Sequence, residues 1–532
     1  MIKKAKQYIS ALPSDLPSSL VVFLVALPLC LGIALGSGAP LFSGIIAGVA
    51  GGIVVGLLSG SQLSVSGPAA GLTAVVVVAI GKMPVFEAFL LSVVLAGVFQ
   101  IIFGFIKAGV IGDYVPSAVI KGMLAAIGVI LIMKQFPHLV GYNKDYEGDE
   151  TFLQGNAENT FSGITRSFRH LLPLALIIGL LGIGIQLLWD KVLVKKAKLF
   201  KLIPAPLVVV LTGIAINQWA VSAWPSLAIG NSHLVNIPIA QSMSEFGSFF
   251  TFPHFKYITN PQVWITAITV AIIASLETLL NIEAADDLDP YQRVTPTNRE
   301  LKAQGIGNIV SGLLGGLPVT SVVVRTSVNI NAGSKTKQST IFHGILLLLC
   351  VGFIPKLLNL IPLSALAAVL IYTGYKLANP ALFKLFYKKG WDQFMPFVLT
   401  VAAILLTDLL VGILVGCGIG LFFVMRSNFR SAVLVVNDGG HYLFRLRKDV
   451  SFLNKPIIKN RLEKVPENAS VLIDATRADF IDKDIIEVIE DFMKHAPLKN
   501  IRVELKRSSY KEQGFSIRPF GGVKTEKPEL AH

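Results

Sequence analysis

Stretches of apolar residues long enough to cross a bilayer recur along this chain, at residues 20–35, 90–106, 171–188, 263–280 and 397–414 among others. A span needs about 20 mostly apolar residues, and inside hydrocarbon every backbone N–H and C=O must find its partner within the protein. Repetition of such stretches therefore predicts an all-α polytopic membrane domain. Composition agrees, with 53% hydrophobic and only 15% charged residues, against about 25% charged in soluble domains. Lys3, Lys4 and Lys6 resemble the start of a secretory signal, but no small-x-small cleavage site ends the first apolar stretch and many spans follow, so it reads as a retained first helix.

Fourteen elements are expected, starting near residues 17, 40, 67, 85, 116, 170, 204, 263, 298, 319, 338, 362, 393 and 411. Placing the N-terminus inside puts Lys191, Lys195, Lys196, Lys198 and Lys201, then Arg293, Arg299 and Lys302, then Lys335 and Lys337, then Lys376, Lys384, Lys388 and Lys389 on inner connections, with Arg426 and Arg430 inside at the end. The outer connections 136–169 and 220–261 are poorer in basic residues, and the first carries Asp145, Glu147, Asp149 and Glu150. This asymmetry is the positive-inside pattern, and it accounts for the net charge of +14 without nucleic acid. Cys30, Cys350 and Cys417 lie in apolar segments and read as buried small hydrophobes. Gly44, Gly48, Gly52 and Gly56, and again Gly412, Gly416 and Gly420, recur every four residues, which predicts close helix packing.

Two segments are too short and too interrupted to span unaided. They are SVSGPAAGLTAVVVVAIG at 64–81 and GGLPVTSVVVRTSVNINAG at 315–333, each with Gly and Pro (Pro68, Pro318) ahead of a Thr/Ser/Val run. They fall third and tenth in the count, seven apart and opposite in orientation. Paired broken helices of this kind point to an inverted repeat with a binding site near the midplane. If Ala69–Ala70 and Thr320–Ser321 begin facing half-helices, unpaired N–H groups and two positive dipole ends converge. Such a spot stabilises a dehydrated anion, and the hydroxyls of Ser66, Thr320 and Ser321 are candidate extra donors.

Arg325 lies in the tenth element, four residues after Ser321 and hence on the same helical face, and Glu277 lies within AIIASLETLLNIEA with Asn281 one turn later on its own face. A charge at the centre of a membrane helix costs roughly 2.5 to 3.5 kcal/mol on insertion scales, so each should face a cavity or a partner. Arg325 reads either as an attractor of anions or as half of a structural ion pair. Glu277 reads as a coupling carboxylate or as that pair's other half. The histidines are scattered, and no nucleotide-binding glycine loop or metal-ligand spacing occurs, so no enzyme, cofactor or metal is expected.

After Arg430 the periodicity becomes that of a small water-soluble α/β unit. Two strands, 431–436 and 442–446, flank Asn437, Asp438, Gly439 and Gly440, which is hairpin-turn chemistry. A buried strand at 471–474, a helix at 484–495 and a strand at 501–505 follow. Residues 509–532 read as a polar tail. The expected boundaries are 1–430, 431–508 and 509–532.

The stretches ALPLCLGIALGSG (26–38), SVSGPAAGLT (64–73) and the run from SLETLLNIEAADD to SVNINAGSKT (275–336) resemble the sulfate permease (SulP, solute carrier family 26) anion transporters, and VLIDATRADFIDKD (471–484) is similar to their STAS domain. The resemblance implies a seven-plus-seven inverted repeat divided into core and gate domains, usually dimeric, with an elevator-like movement of the core. It places the anion between Gly67, Pro68, Ala69, Ala70 and Gly71 on one side and Ser321, Val322, Val323, Val324 and Arg325 on the other, with the acidic coupling position at Glu277 and its neighbour at Asn281. Sodium-coupled bicarbonate carriers of the family have an aspartate and a hydroxyl residue where Glu277 and Asn281 stand, so a proton or a counter-anion is the expected partner rather than sodium. Leu29 after Pro28 departs from the glutamine of many sulfate carriers, and residues 481–484 hold no counterpart of the phosphorylated STAS serine.

The expectation is a secondary transporter of bicarbonate, sulfate or chloride in the cell membrane, with both termini cytoplasmic, surrounded by lipid and assembled as a homodimer. The alternatives are an anion channel, a membrane sensor regulated through its soluble domain, or a nucleobase permease.

Overall fold

The computed structural model describes residues 2–146, 149, 152, 159–196, 200, 203–240, 242–431 and 433–507. The expected tail 509–532 lies outside the described residues, as do Glu147, Glu150, Lys198 and Lys201. The chain divides into two compact units, the first ending at Gly418 and the second running from Ile419 onward.

The first unit is a polytopic membrane domain. Its helices are α1 (Ile2–Gly36), α2 (Leu41–Val49), α3 (Thr73–Lys82), α4 (Phe86–Phe105), α5 (Ser117–Leu139), α6 (Pro173–Leu188), α7 (Ala205–Ala223), α8 (Pro261–Leu288), α9 (Thr297–Leu314), α10 (Val323–Asn331), α11 (Gln338–Phe353), α12 (Leu363–Leu377), α13 (Trp391–Leu406) and the start of α14 (Leu409–Ser431), a helix that continues past Gly418 into the second unit. Shorter helices, such as Thr160–Ser167 and Pro380–Lys389, lie in the connections. Among the described residues seven helices are long and apolar enough to cross a membrane, including Phe86–Phe105 and Pro261–Leu288. Most expected starts fall within a few residues of a helix start, but α1 begins well before residue 17. The apolar run 397–414 is not one span: α13 stops at Leu406, and Thr407 and Asp408 turn the chain into α14.

The third and tenth elements begin as strands. β1 (Ser66–Pro68) and β2 (Val319–Ser321) pair antiparallel, with Ser66 opposite Ser321, Gly67 opposite Thr320 and Pro68 opposite Val319. Thr320 and Ser321 are therefore strand residues, not the start of a helix, and α10 starts only at Val323. The expectation that Ser321 and Arg325 share a helical face fails for this reason. Extended backbone is what a Pro or a β-branched run favours, and two three-residue strands can lie at membrane depth only because protein surrounds them. The glycines of α2 and of the π-helical turn Ala50–Val55 that continues it in the span Leu41–Leu58 do pack as expected: a Cβ on Gly44 would meet the Cys30 carbonyl of α1 at 1.9 Å, and one on Gly52 would meet the Gly344 backbone of α11 at 2.6 Å.

The second unit carries a four-stranded sheet of β3 (Val433–Asp438), β4 (His441–Val450), β5 (Ser470–Ile481) and β6 (Arg502–Lys506), in that order. β3 and β4 pair antiparallel, and β4, β5 and β6 run parallel. The hairpin turns at Gly439 and Gly440, both at positive φ (54° and 91°), as a two-residue loop matched to strand twist requires. Helices α15 (Lys455–Glu463) and α16 (Lys483–His495) connect the parallel strands. Ile458 and Leu462 of α15 and Ile485, Ile489 and Met493 of α16 join Val471, Ile473 and Val503 in one core. Reading the sequence missed α15, although Pro456 in its first turn and the Ile458/Leu462 spacing mark it.

Candidate functional site

From β1 the chain passes through extended Ala69 (φ −115°, ψ 140°) into a 3₁₀ turn over Ala70–Leu72 and then α3. From β2 it passes through extended Val322 (φ −123°, ψ 116°) directly into α10. Neither helix start carries a side-chain cap. First-turn N–H groups, which an α-helix cannot satisfy internally, therefore flank the strand crossing with the positive ends of both helix dipoles. Gly67, Pro68 and Ala69 are buried, Ala70 and Val322 are half-buried and Gly71 is exposed. Ala70, Gly71 and Val322 thus form the open rim of the crossing.

The hydroxyls expected to add donors are occupied by the protein. Ser321 Oγ lies 2.7 Å from Ser64 Oγ, Thr320 donates to the Ser321 carbonyl at 3.1 Å, and Ser66 Oγ accepts from Gln304 at 2.7 Å. Val322 donates its N–H to the Val65 carbonyl, and Val65 donates to Thr326 Oγ1, both at 3.0 Å. These bonds lock the two turns together.

Arg325 is fully buried. Its Nη2 donates to the Pro68 carbonyl at 3.4 Å, the Cys30 thiol also faces the guanidinium, and Nε and Nη1 find no hydrogen-bond partner among the described residues. No carboxylate lies at ion-pair distance from it among those residues, so the pair with Glu277 weighed from the sequence does not form. The guanidinium fits only because position 67 is glycine: a Cβ there would stand 2.1 Å from Nη1.

Glu277 approaches the other end of the same turn. It is 8% exposed, and a Cβ on Gly71 would stand 3.0 Å from its Oε1. A narrow cavity here is lined by Gly71, Ile273, Glu277, Leu280 and Asn281 together with Leu409, Leu410 and Ile413 from the start of α14. Asn281 does not face the carboxyl alone: its Nδ2 donates to the Ser321 carbonyl at 2.5 Å, and the Ser321 N–H donates to Thr278 Oγ1 at 3.4 Å. Asn281 thus ties α8 to β2.

The sequence-derived residues 67–71, 321–325, 277 and 281 are brought into one locality. Two groups escaped the sequence reading. His343 of α11 is fully buried within electrostatic reach of Arg325. Glu300, Gln304 and Asn308 are fully buried on α9, and their spacing of four in an otherwise small and apolar run was the available signal.

The sequence profile described as the Sulfate permease family matches residues 12–402. The bicarbonate transporter BicA of Synechocystis sp. is 26% identical over 330 residues, 62% of this chain and 53% of that protein. The sodium-independent sulfate anion transporter of Bos taurus is 24% identical over 436 residues, 75% of this chain and 69% of that protein. The structure of the murine solute carrier 26 family member A9 anion transporter in the inward-facing state superposes with a TM-score of 0.66 at 15% identity, covering 93% of this chain and 85% of that one.

Proposed function

Because the chain belongs to the sulfate permease family, whose members are membrane transporters and not enzymes, we propose that it is a secondary active transporter of small inorganic anions, bicarbonate, sulfate or chloride, that binds its anion at the open rim formed by Ala70, Gly71 and Val322. One observation carries this reading. A fully buried arginine stands beneath the strand crossing with two nitrogens unpartnered and no carboxylate to neutralise it among the described residues. A lone charge in that setting is costly, and an anion at the two uncapped helix starts is the species that offsets it. The relatives' names, a bicarbonate transporter and a sulfate anion transporter, suggest the substrate class.

Glu277, in a cavity that reaches both the rim and α14, is the proposed coupling carboxylate for proton symport, with anion exchange as the alternative partner reaction. The movement we favour is an elevator-like shift of a core containing α3, α8 and α10 against a gate containing α5, α12 and α14. A seven-plus-seven inverted repeat is supported by packing: exchanging each helix with the one seven places away turns the α4–α9 contact into α11–α2. Both contacts are made glycine on glycine, Gly97 with Gly305 and Gly344 with Gly52. The C-terminal unit is proposed as a STAS-like cytoplasmic domain from its mixed sheet and its α16, and the protein as a homodimer of the cell membrane with both termini inside.

The deciding experiment is uptake of radiolabelled bicarbonate, sulfate and chloride into proteoliposomes holding the purified protein, with and without a pH gradient. Accumulation above the equilibrium level with at least one anion is expected. Flux that only equilibrates would make the protein a channel, and no flux of any of them would remove the transporter reading.

A further inference from the structure

We infer that Asn308 of α9, continued by Gln304 and Glu300, is the positioning residue that sets the geometry of the anion site, an inference that rests on the transport reading above only for its functional consequence. The reason lies in the edge of β2. A strand residue presents its N–H and C=O to the same side, so in a two-stranded ladder one edge of each strand is left without a partner. At membrane depth no water is available to satisfy it. Val319 turns both groups away from β1, and the Asn308 side chain takes both: Val319 N–H donates to Oδ1 at 2.6 Å, and Nδ2 donates to the Val319 carbonyl at 2.9 Å. One amide does here what a third strand would do. Thr278 and Asn281 do the same for Ser321 from α8, so the free edge of β2 is clasped by side chains of two helices.

The clasp extends in both directions. Asn308 Nδ2 also donates to Gln100 Oε1 of α4 at 2.7 Å, and Gln100 reaches Ser275 Oγ at 3.4 Å, two residues before Glu277. One turn back along α9, Gln304 Nε2 donates both to Ser66 Oγ of β1 at 2.7 Å and to Glu300 Oε1 at 3.1 Å, while Ser59 donates to Glu300 Oε2 at 2.5 Å. Residues 300, 304 and 308 lie on one face at the four-residue helical spacing, and all three are fully buried. α9 can come so close to α4 because Gly97 and Gly305 meet backbone to backbone, where a Cβ on either would stand 2.4 to 2.5 Å from the other's carbonyl oxygen. α9 therefore touches both strands and, through Gln100, the helix that carries Glu277, yet no residue of the trio lies on the rim. Its effect on an anion is exerted through the placement of Val319 to Val322.

Asn308→Ala in the full-length protein tests this by two measurements. Hydrogen–deuterium exchange over residues 317–325, with no anion present, should quicken in the variant while exchange over α5 and α12 stays unchanged. Uptake kinetics should show KM raised about tenfold or more, since the variant loses the three hydrogen bonds of the Asn308 side chain and one buried hydrogen bond alone is worth roughly that factor, with kcat close to wild type. Asn308→Asp, which keeps the acceptor for Val319 N–H and loses the donor, should fall between. If Asn308→Ala does not fold, Gln304→Met, which keeps side-chain length and removes only the bonds to Ser66 and Glu300, is read by the same split. Unchanged exchange over 317–325, or reduced kcat at an unchanged KM, overturns the inference. Wild-type protein that moves no anion overturns the transport reading instead, and leaves the exchange measurement to decide the clasp.

Discussion

Gly67→Ala is the sharpest probe of the guanidinium beneath the crossing. The new Cβ would stand 2.1 Å from Arg325 Nη1 and 3.1 Å from Cζ, against the 3.4 Å at which ordinary contact begins, a shortfall of 1.3 Å at the nitrogen. Position 67 is paired with Thr320 and cannot retreat without opening the ladder, so the arginine must move, and its hydrogen bond to the Pro68 carbonyl, already 3.4 Å long, is lost. Overpacking of this kind costs about 1 to 3 kcal/mol, which corresponds to a factor of roughly 5 to 150 in an equilibrium constant. Anion affinity measured by calorimetry should fall by a factor within that range, and the thermal unfolding midpoint should drop. The cycle with Arg325→Ala isolates the cause: once the guanidinium is gone, Gly67→Ala should be nearly neutral for thermal stability. If Gly67→Ala destabilises the protein as much without Arg325 as with it, the guanidinium does not occupy the space above Gly67, and the reading of the site as an arginine held under an uncapped turn is refuted.

Glu277→Gln, which mimics the protonated carboxyl, should retain anion exchange in proteoliposomes and lose the response to an imposed pH gradient; a variant still driven by that gradient would place the coupling elsewhere. In the C-terminal unit, burial pushes the Asp474 carboxyl up, but hydrogen bonds from Thr476 and Arg445 outweigh it and hold it below its ordinary value of 3.8. A carboxyl whose native pKa is depressed contributes stability that is present above its unfolded pKa and lost as pH falls through the native one. Asp474→Asn should therefore speed amide exchange in β4 and β5 several-fold at neutral pH, a loss of roughly 1 kcal/mol for a partly exposed pair, with the difference from wild type shrinking as pH falls below 3.8 and through the depressed native value; a difference that does not change with pH would deny the ion pair its role. Truncation after Arg430 should leave anion affinity unaltered, because the candidate residues all precede it, and a folded truncated protein that binds no anion would contradict that placement.

Helix positions were legible because apolar runs in a membrane protein are bounded by the few residues that end them. Pro173, Pro261 and Lys389 stand at helix ends where the sequence changes character. Broken elements were legible too, since Gly and Pro ahead of β-branched residues cannot begin an uninterrupted span. The form of the break was not. Nothing in SVSGPAAGLT and LPVTSVVVR says that Ser66–Pro68 and Val319–Ser321 pair as strands, because each segment needs the other to fix it and their separation in sequence is about 250 residues. Helical spacing applied across that break misassigned Ser321 to the face of Arg325.

Side-chain allegiance was the least legible layer. An arginine and a glutamate buried in neighbouring helices read as natural partners, since each would relieve the other's cost. The chain instead spends its polar side chains on backbone: Asn281 on the Ser321 carbonyl, Asn308 on Val319 and Arg325 itself on the Pro68 carbonyl. Strand edges exposed by the two breaks create that demand, and it exists only once the strands do. Because those edges are satisfied by neutral amides, and because no carboxylate among the described residues neutralises Arg325, the positive charge remains uncommitted. Glu277 is left at the opposite end of the 67–71 turn. On the proposed reading, anion attraction by Arg325 and proton coupling by Glu277 belong to two groups that can be altered one at a time, which a salt-bridged pair would not permit.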